Sequence, residues 1–86
     1  MKKPKKATSL KYAQSYEAPI VTSAGMGYIA DRIIEIAEEN KVPIVQNKEL
    51  ANLLVNVDVG DSIPDELYDA VAKVIAYVMD LDSLIE

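Results

Sequence analysis

Two short runs constrain this chain more than anything else in it: Ala18-Pro19-Ile20-Val21-Thr22 and Val42-Pro43-Ile44-Val45. Each is rich in β-branched residues, carries a proline near its start, and leads into polar or small residues and then an apolar pattern of helical period. Proline has no N–H to give to a ladder, so it suits the first position of a strand. Neither run alternates polar with apolar residues, so neither offers a wet face, and helices are expected to cover the sheet. A strand–helix–strand connection within one sheet turns right-handed, which makes the two runs parallel strands.

The rest of the chain fills in around them. Ser9–Tyr12 reads as a short strand, and Ala13–Glu17 as a loop. Ser23–Gly27 breaks the first proline-bearing strand; its Gly-Met-Gly lacks the third glycine of a dinucleotide fingerprint and the Lys-Ser/Thr of a P-loop, so it reads as a tight strand-to-helix turn. From Tyr28 to Asn40, Ile29, Ile33, Ile36 and Ala37 recur at helical spacing among acidic residues. Asn47 is a good N-cap for a short helix holding Leu50, Ala51, Leu53 and Leu54. Val55–Ser62 is an irregular return with Gly60 as its turn residue. Pro64 then opens a long helix, with Asp65 and Glu66 at its positive end. Leu67, Val71, Val74, Val78 and Leu81 run down one stripe of that helix; Tyr68, Ala72, Ile75 and Met79 form a second stripe beside it. So wide an apolar face must pack against a sheet or other helices. The expected fold class is α/β: a small mixed sheet of about three strands packed with about three helices, in the order β-β-α-β-α-α.

At 86 residues the chain holds one core. Residues 1–8 read as a flexible basic arm that adds little stability, 9–80 as the domain, and 81–86 as a tail. The first sixteen residues carry five lysines and no acid, whereas the remainder sets four bases against all fourteen acids. Such an arm could touch phosphate, yet the acidic body would repel a nucleic-acid backbone, and no basic, aromatic-rich strand is present to stack bases. No apolar run approaches the ~20 residues of a membrane span, and no signal peptide is visible.

There is no cysteine and no histidine. Disulfides, the usual zinc sites and imidazole catalysis are therefore absent, and the serines have no histidine to activate them. Asp58, Asp61, Asp65 and Asp69 flank Gly60 without the spacing of an EF-hand, and read as a solvated turn and helix start rather than a metal site. The expectation is a non-catalytic binding or regulatory module with no cofactor and no metal.

The order of segments carries a resemblance. Leu10-Lys11-Tyr12, a loop, Ala18-Pro19-Ile20-Val21 with Gly25, the run from Ala30 to Val45, Leu50-Ala51-x-x-Leu54, and finally Gly60, Ile63-Pro64, Leu67-Tyr68, Ala70-Val71-Ala72 and Ala76-Tyr77 together resemble the cytoplasmic C-terminal domain of the FlhB/YscU family. Its members are export-switch components of flagellar and injectisome type III secretion. The resemblance covers about residues 7–80. The family's full-length members carry transmembrane helices ahead of this domain and cleave themselves at an Asn-Pro-Thr-His loop before the Leu-Lys-Tyr strand. Here the corresponding place reads Pro4-Lys5-Lys6 and no asparagine precedes a proline, so the chain is most similar to a stand-alone FlhB-like paralogue without autocleavage. The family's usual lysine before the strand-ending glycine is Ala24, and its tyrosine after the Leu-Ala helix is Val55.

What the resemblance implies is a component of the export apparatus that docks export substrates or the membrane-bound FlhB gate and contributes to substrate-specificity switching. The composition, with no signal peptide, no membrane span and no cysteine, reads as a cytoplasmic protein, expected to be a monomer; the export gate implied by the resemblance would place it peripherally at the inner face of the membrane. The resemblance also implies a small apolar recess made by Ala18, Pro19, Ala72 and Ile75. Ala18 and Ala72 are small, and Ala18 sits at a strand start where solvent access is expected; Ala72 and Ile75 read equally well as plain core. The alternative function is a small regulatory protein that binds nucleic acid or anionic membrane through its lysine arm.

Overall fold

The computed structural model describes residues 5–84 except Gln14, with side chains through Met79. Lys2 and Lys3 of the basic arm, residues 85 and 86 of the tail, and the side chain of Leu81 in the first stripe lie outside what is described. Two strands, β1 (Lys6–Lys11) and β2 (Ile20–Met26), form an antiparallel hairpin. Helices α1 (Tyr28–Glu39), α2 (Lys48–Leu54) and α3 (Tyr68–Leu84) follow, with one 3-10 turn, Asp65–Leu67, leading into α3. Helix α1 packs on both strands and α2 on β1. The fold is a small α/β domain.

The hairpin register runs from Lys6 opposite Met26 to Lys11 opposite Ile20, and it is interrupted once. Ser9 pairs with Ser23 but Leu10 pairs with Val21, so Thr22 is an extra residue that bulges out of the ladder. The Ser9 hydroxyl bonds to Thr22 Oγ1 (2.6 Å) and to the Ser23 hydroxyl, closing the bulge. A bulge lets the strand change which residues face inward, and it sets Val21 fully buried opposite Leu10.

Both strands begin or end away from their expected limits. β1 starts at Lys6, so residues 6–8 of the expected arm are strand, and the Gly27 N–H donates to the Lys5 carbonyl (2.7 Å). β2 runs on through Ser23-Ala24-Gly25, because Lys6–Ser9 supply a partner ladder that outweighs the weak strand propensity of those residues. Gly25 is needed there for closeness: a Cβ would lie 2.2 Å from Ile29 Cγ2. Gly27, at φ +59°, makes the turn into α1.

The expected third strand, Val42–Val45, does not form, and the parallel pairing with it. Two local events direct the chain elsewhere. Helix α1 ends in a Schellman motif, in which Val42 N donates to Ala37 O (2.9 Å) and Lys41 N to Glu38 O (3.2 Å), with Lys41 left-handed at φ +58°. Pro43 follows and the chain continues extended, with Val42, Ile44 and Val45 exposed. Meanwhile the free edge at the start of β2 is taken by the return segment. Gly60 N donates to Val21 O (2.7 Å), Val21 N to Asp61 O (3.0 Å) and Ile63 N to Pro19 O (3.0 Å), around a single antiparallel bridge between Ile20 and Ser62.

The core gathers Ala18, Val21, Leu50, Leu54, Ile63 and Val71, with Leu10, Ala24, Val57, Leu67, Val74 and Ile75 packed against it. Asn47 caps α2 as expected, its side-chain oxygen accepting from Leu50 N (3.0 Å). Pro64 stands one step earlier than expected, as the cap of the 3-10 turn. On α1 the inward stripe is Ala30, Ile33, Ile34 and Ala37, whereas Ile29 and Ile36 lie exposed. No helix among the described residues is long and apolar enough to cross a membrane.

Candidate functional site

Helix α3 uses its two apolar stripes differently. Leu67, Val71 and Val74 turn toward the core, with Val71 fully buried. Tyr68, Ala72, Ile75 and Met79, spaced four, three and four residues apart, stand on the neighbouring face and line a recess of about 300 Å³ together with Ala76. The opposite wall is the segment leading into β2, where Ala18 and Pro19 are buried. The Pro19 carbonyl is held by Ile63 N (3.0 Å), which anchors that wall to the same return segment that leads into α3. The β1–β2 connection contributes Tyr12 and Glu17 at the edge.

All four residues expected from the sequence, Ala18, Pro19, Ala72 and Ile75, thus border one concavity. Their burial differs. Ala18 is 4% exposed and belongs to the core cluster, which corrects the expectation of an accessible strand start: the return segment through Ile63 covers it. Ile75 is half-buried against the core, and Ala72 is exposed. Core and recess are therefore not alternatives here, because Ala18 and Ile75 serve both. Tyr12, Glu17, Tyr68, Ala76 and Met79 were not singled out as site residues. Tyr68 and Met79 could have been, since they share the second stripe; Tyr12 and Glu17 are loop residues brought in by the hairpin.

The lining is apolar apart from Glu17 and the phenol groups of Tyr12 and Tyr68. Tyr68 is 39% exposed. Partial desolvation, then the charge and hydrogen bonding of Asp65, then the charge of Glu17 hold its phenol above the ordinary tyrosine pKa, so it stays a neutral donor at the recess. The ion pairs found among the described residues, Lys5–Asp31 (3.2 Å) and Arg32–Glu35 (2.7 Å), both involve α1 and leave Glu17 and Asp65 unpaired. Among the described residues no three acidic groups converge to hold a metal ion. A second concavity, about 320 Å³, lies between Val45, Asn47 and the Ala70–Tyr77 side of α3, and contains none of the expected residues.

Known proteins place this arrangement. The model of the FlhB HrpN YscU SpaS family matches residues 5–78. The chain is 47% identical over 75 residues to the flagellar biosynthetic protein FlhB of Aquifex aeolicus (strain VF5), covering 85% of this chain and 21% of that one, so it spans about a fifth of the length of that relative. It is 36% identical over 83 residues to the uncharacterized protein YlqH of Bacillus subtilis (strain 168), covering 95% of this chain and 89% of YlqH. Among solved structures, the cytoplasmic domain of FlhB from Shewanella putrefaciens superposes with a TM-score of 0.86 at 32% identity, over 92% of this chain and 66% of that one. The PscU C-terminal domain gives 0.81 at 31% identity, over 85% and 95%. With family, fold and segment order in agreement, the chain belongs to the FlhB HrpN YscU SpaS family.

Proposed function

We propose that this chain is a non-catalytic component of the flagellar or type III protein export apparatus. It docks export substrates, or the membrane-bound FlhB gate, at the recess between Ala18-Pro19 and the second stripe of α3, and so contributes to substrate-specificity switching. It acts in the cytoplasm, peripheral to the membrane, as a monomer. The observation that carries this reading is the convergence of two segments more than fifty residues apart on one apolar recess, in a member of a family whose flagellar relatives are biosynthetic proteins. Apolar groups held open rather than collapsed into the core suit an apolar side chain of a partner.

Ala72→Phe tests it. Ala72 is exposed, so the substitution should leave unfolding within about 0.5 kcal/mol of wild type. A phenylalanine there occupies the recess, and retention of early (rod and hook) export substrates in a pull-down should weaken at least tenfold, about 1.4 kcal/mol. A folded Ala72→Phe protein that retains those substrates as well as wild type refutes the docking site.

A further inference from the structure

We infer that the recess selects by charge as well as by apolar shape: it takes an apolar side chain from a peptide whose adjacent residue is lysine or arginine, with Glu17 and Asp65 meeting the cation. This rests on the docking reading above and adds the chemistry of the occupant. Glu17 lines the recess, and Asp65 acts on the Tyr68 phenol that forms part of the same edge. Two carboxylates thus bear on one spot beside an otherwise uncharged lining. Neither has an ion-pair partner among the described residues, and Lys11, at the hairpin end facing Ile20, pairs with neither. Like charges gathered beside an apolar surface are relieved by a cation that arrives with the ligand, and that complementarity fixes its register and excludes acidic competitors.

Lys5 does not supply the cation. Lys5 is tied by its carbonyl to Gly27 and by its amine to Asp31, at the Met26 end of the hairpin. The recess lies toward the Ile20 end, a six-residue strand away, or about 20 Å. The occupant is a peptide of a partner, and the acidity of residues 17–86 draws a cationic one toward this body.

The test uses the full chain, isotope-labelled, titrated by NMR with three seven-residue glycine/serine peptides. Each carries a central phenylalanine flanked on both sides by lysine, glutamine or glutamate. Amides at Ala18, Ala72 and Ile75 should move, and the lysine peptide should bind about three- to tenfold more tightly than the glutamate peptide at low salt, a gap that narrows as salt is raised. Glu17→Lys with Asp65→Lys should reverse the order; Glu17→Gln with Asp65→Asn should bring the three together. If all three peptides shift the recess with equal affinity, the charge selection is wrong and the docking site stands. If none shifts the recess, or the lysine peptide shifts the acidic face of α1 instead, the docking reading falls and the selection with it.

Discussion

Gly25→Ala should show how tightly α1 is laid across the hairpin. A Cβ at position 25 would lie 2.2 Å from Ile29 Cγ2 and 2.8 Å from Ile29 Cβ, with the Ile29 backbone carbon at 3.6 Å. The first overlap is with the branch of a side chain that is 58% exposed and can rotate away; the second is with an atom fixed to the helix. Relieving both means moving the first turn of α1 by several tenths of an ångström against β2, and overpacking of this kind costs about 1–3 kcal/mol. Replacing a strand glycine returns about 0.5–1 kcal/mol of backbone entropy. The expected net loss is therefore about 1–2 kcal/mol in urea unfolding followed by circular dichroism. Ile29→Ala alone should change stability by less than about 1 kcal/mol, since the residue is mostly exposed and alanine is the better helix former. In the double variant the 2.2 Å contact is gone and the 2.8 Å contact remains, so the pair should couple by about 1 kcal/mol and recover part of the loss. A Gly25→Ala protein as stable as wild type, or a cycle with no coupling, would show that α1 does not sit this close.

Val71→Ala removes two methyl groups from a fully buried site and should cost about 2–3 kcal/mol, or roughly 8–24 °C in melting temperature, whereas Val78→Ala, half-buried farther along the same stripe, should cost under about 1 kcal/mol; equal effects would refute the difference in burial between the two positions. Deleting residues 1–6 removes the Lys5–Gly27 backbone bond, the Lys6–Met26 pair and the exposed Lys5–Asp31 ion pair, so unfolding should become easier by about 1–2 kcal/mol, and no change would return Lys5 and Lys6 to a frayed arm. Because the Tyr68 phenol is raised in the folded state, the stability it contributes is complete below the ordinary tyrosine pKa and is lost as pH climbs through the raised one; urea midpoints between pH 8 and 11 should therefore fall less for Tyr68→Phe than for wild type.

The helices were legible and the sheet was not, for a physical reason. Asn47 and the heptad-like runs of α3 act over three or four residues, within the reach of a sequence pattern. Strand pairing depends on which edge finds a partner. Val42–Val45 has the residue types of a strand, but the Schellman turn at Lys41 carries it away, and Gly60–Ile63, which looks like a turn, takes the β2 edge instead. The face of α1 was misread in the same way. Ile29 and Ile36 fit the helical period as well as Ala30 and Ala37 do, yet Ala30 is the residue of α1 that is fully buried, while Ile29 crosses over Gly25 with most of its side chain still exposed and Ile36 faces outward.

The recess was legible through α3 and obscure elsewhere. A helix with two apolar stripes seventeen residues long has more apolar face than one small hairpin can cover. One stripe must therefore stay at the surface, and its membership from Tyr68 to Met79 follows from spacing alone. What sequence could not supply is the opposite wall. The β1–β2 connection delivers Tyr12 and Glu17 to the edge, and Ala18 at its end is buried in the core cluster with Ile63. Ala18 thereby becomes a poor place to perturb binding, since a larger or charged group there strikes the core cluster first. Ala72, exposed across from it, changes the recess without changing the core. Any variant meant to separate docking from folding belongs on the α3 side.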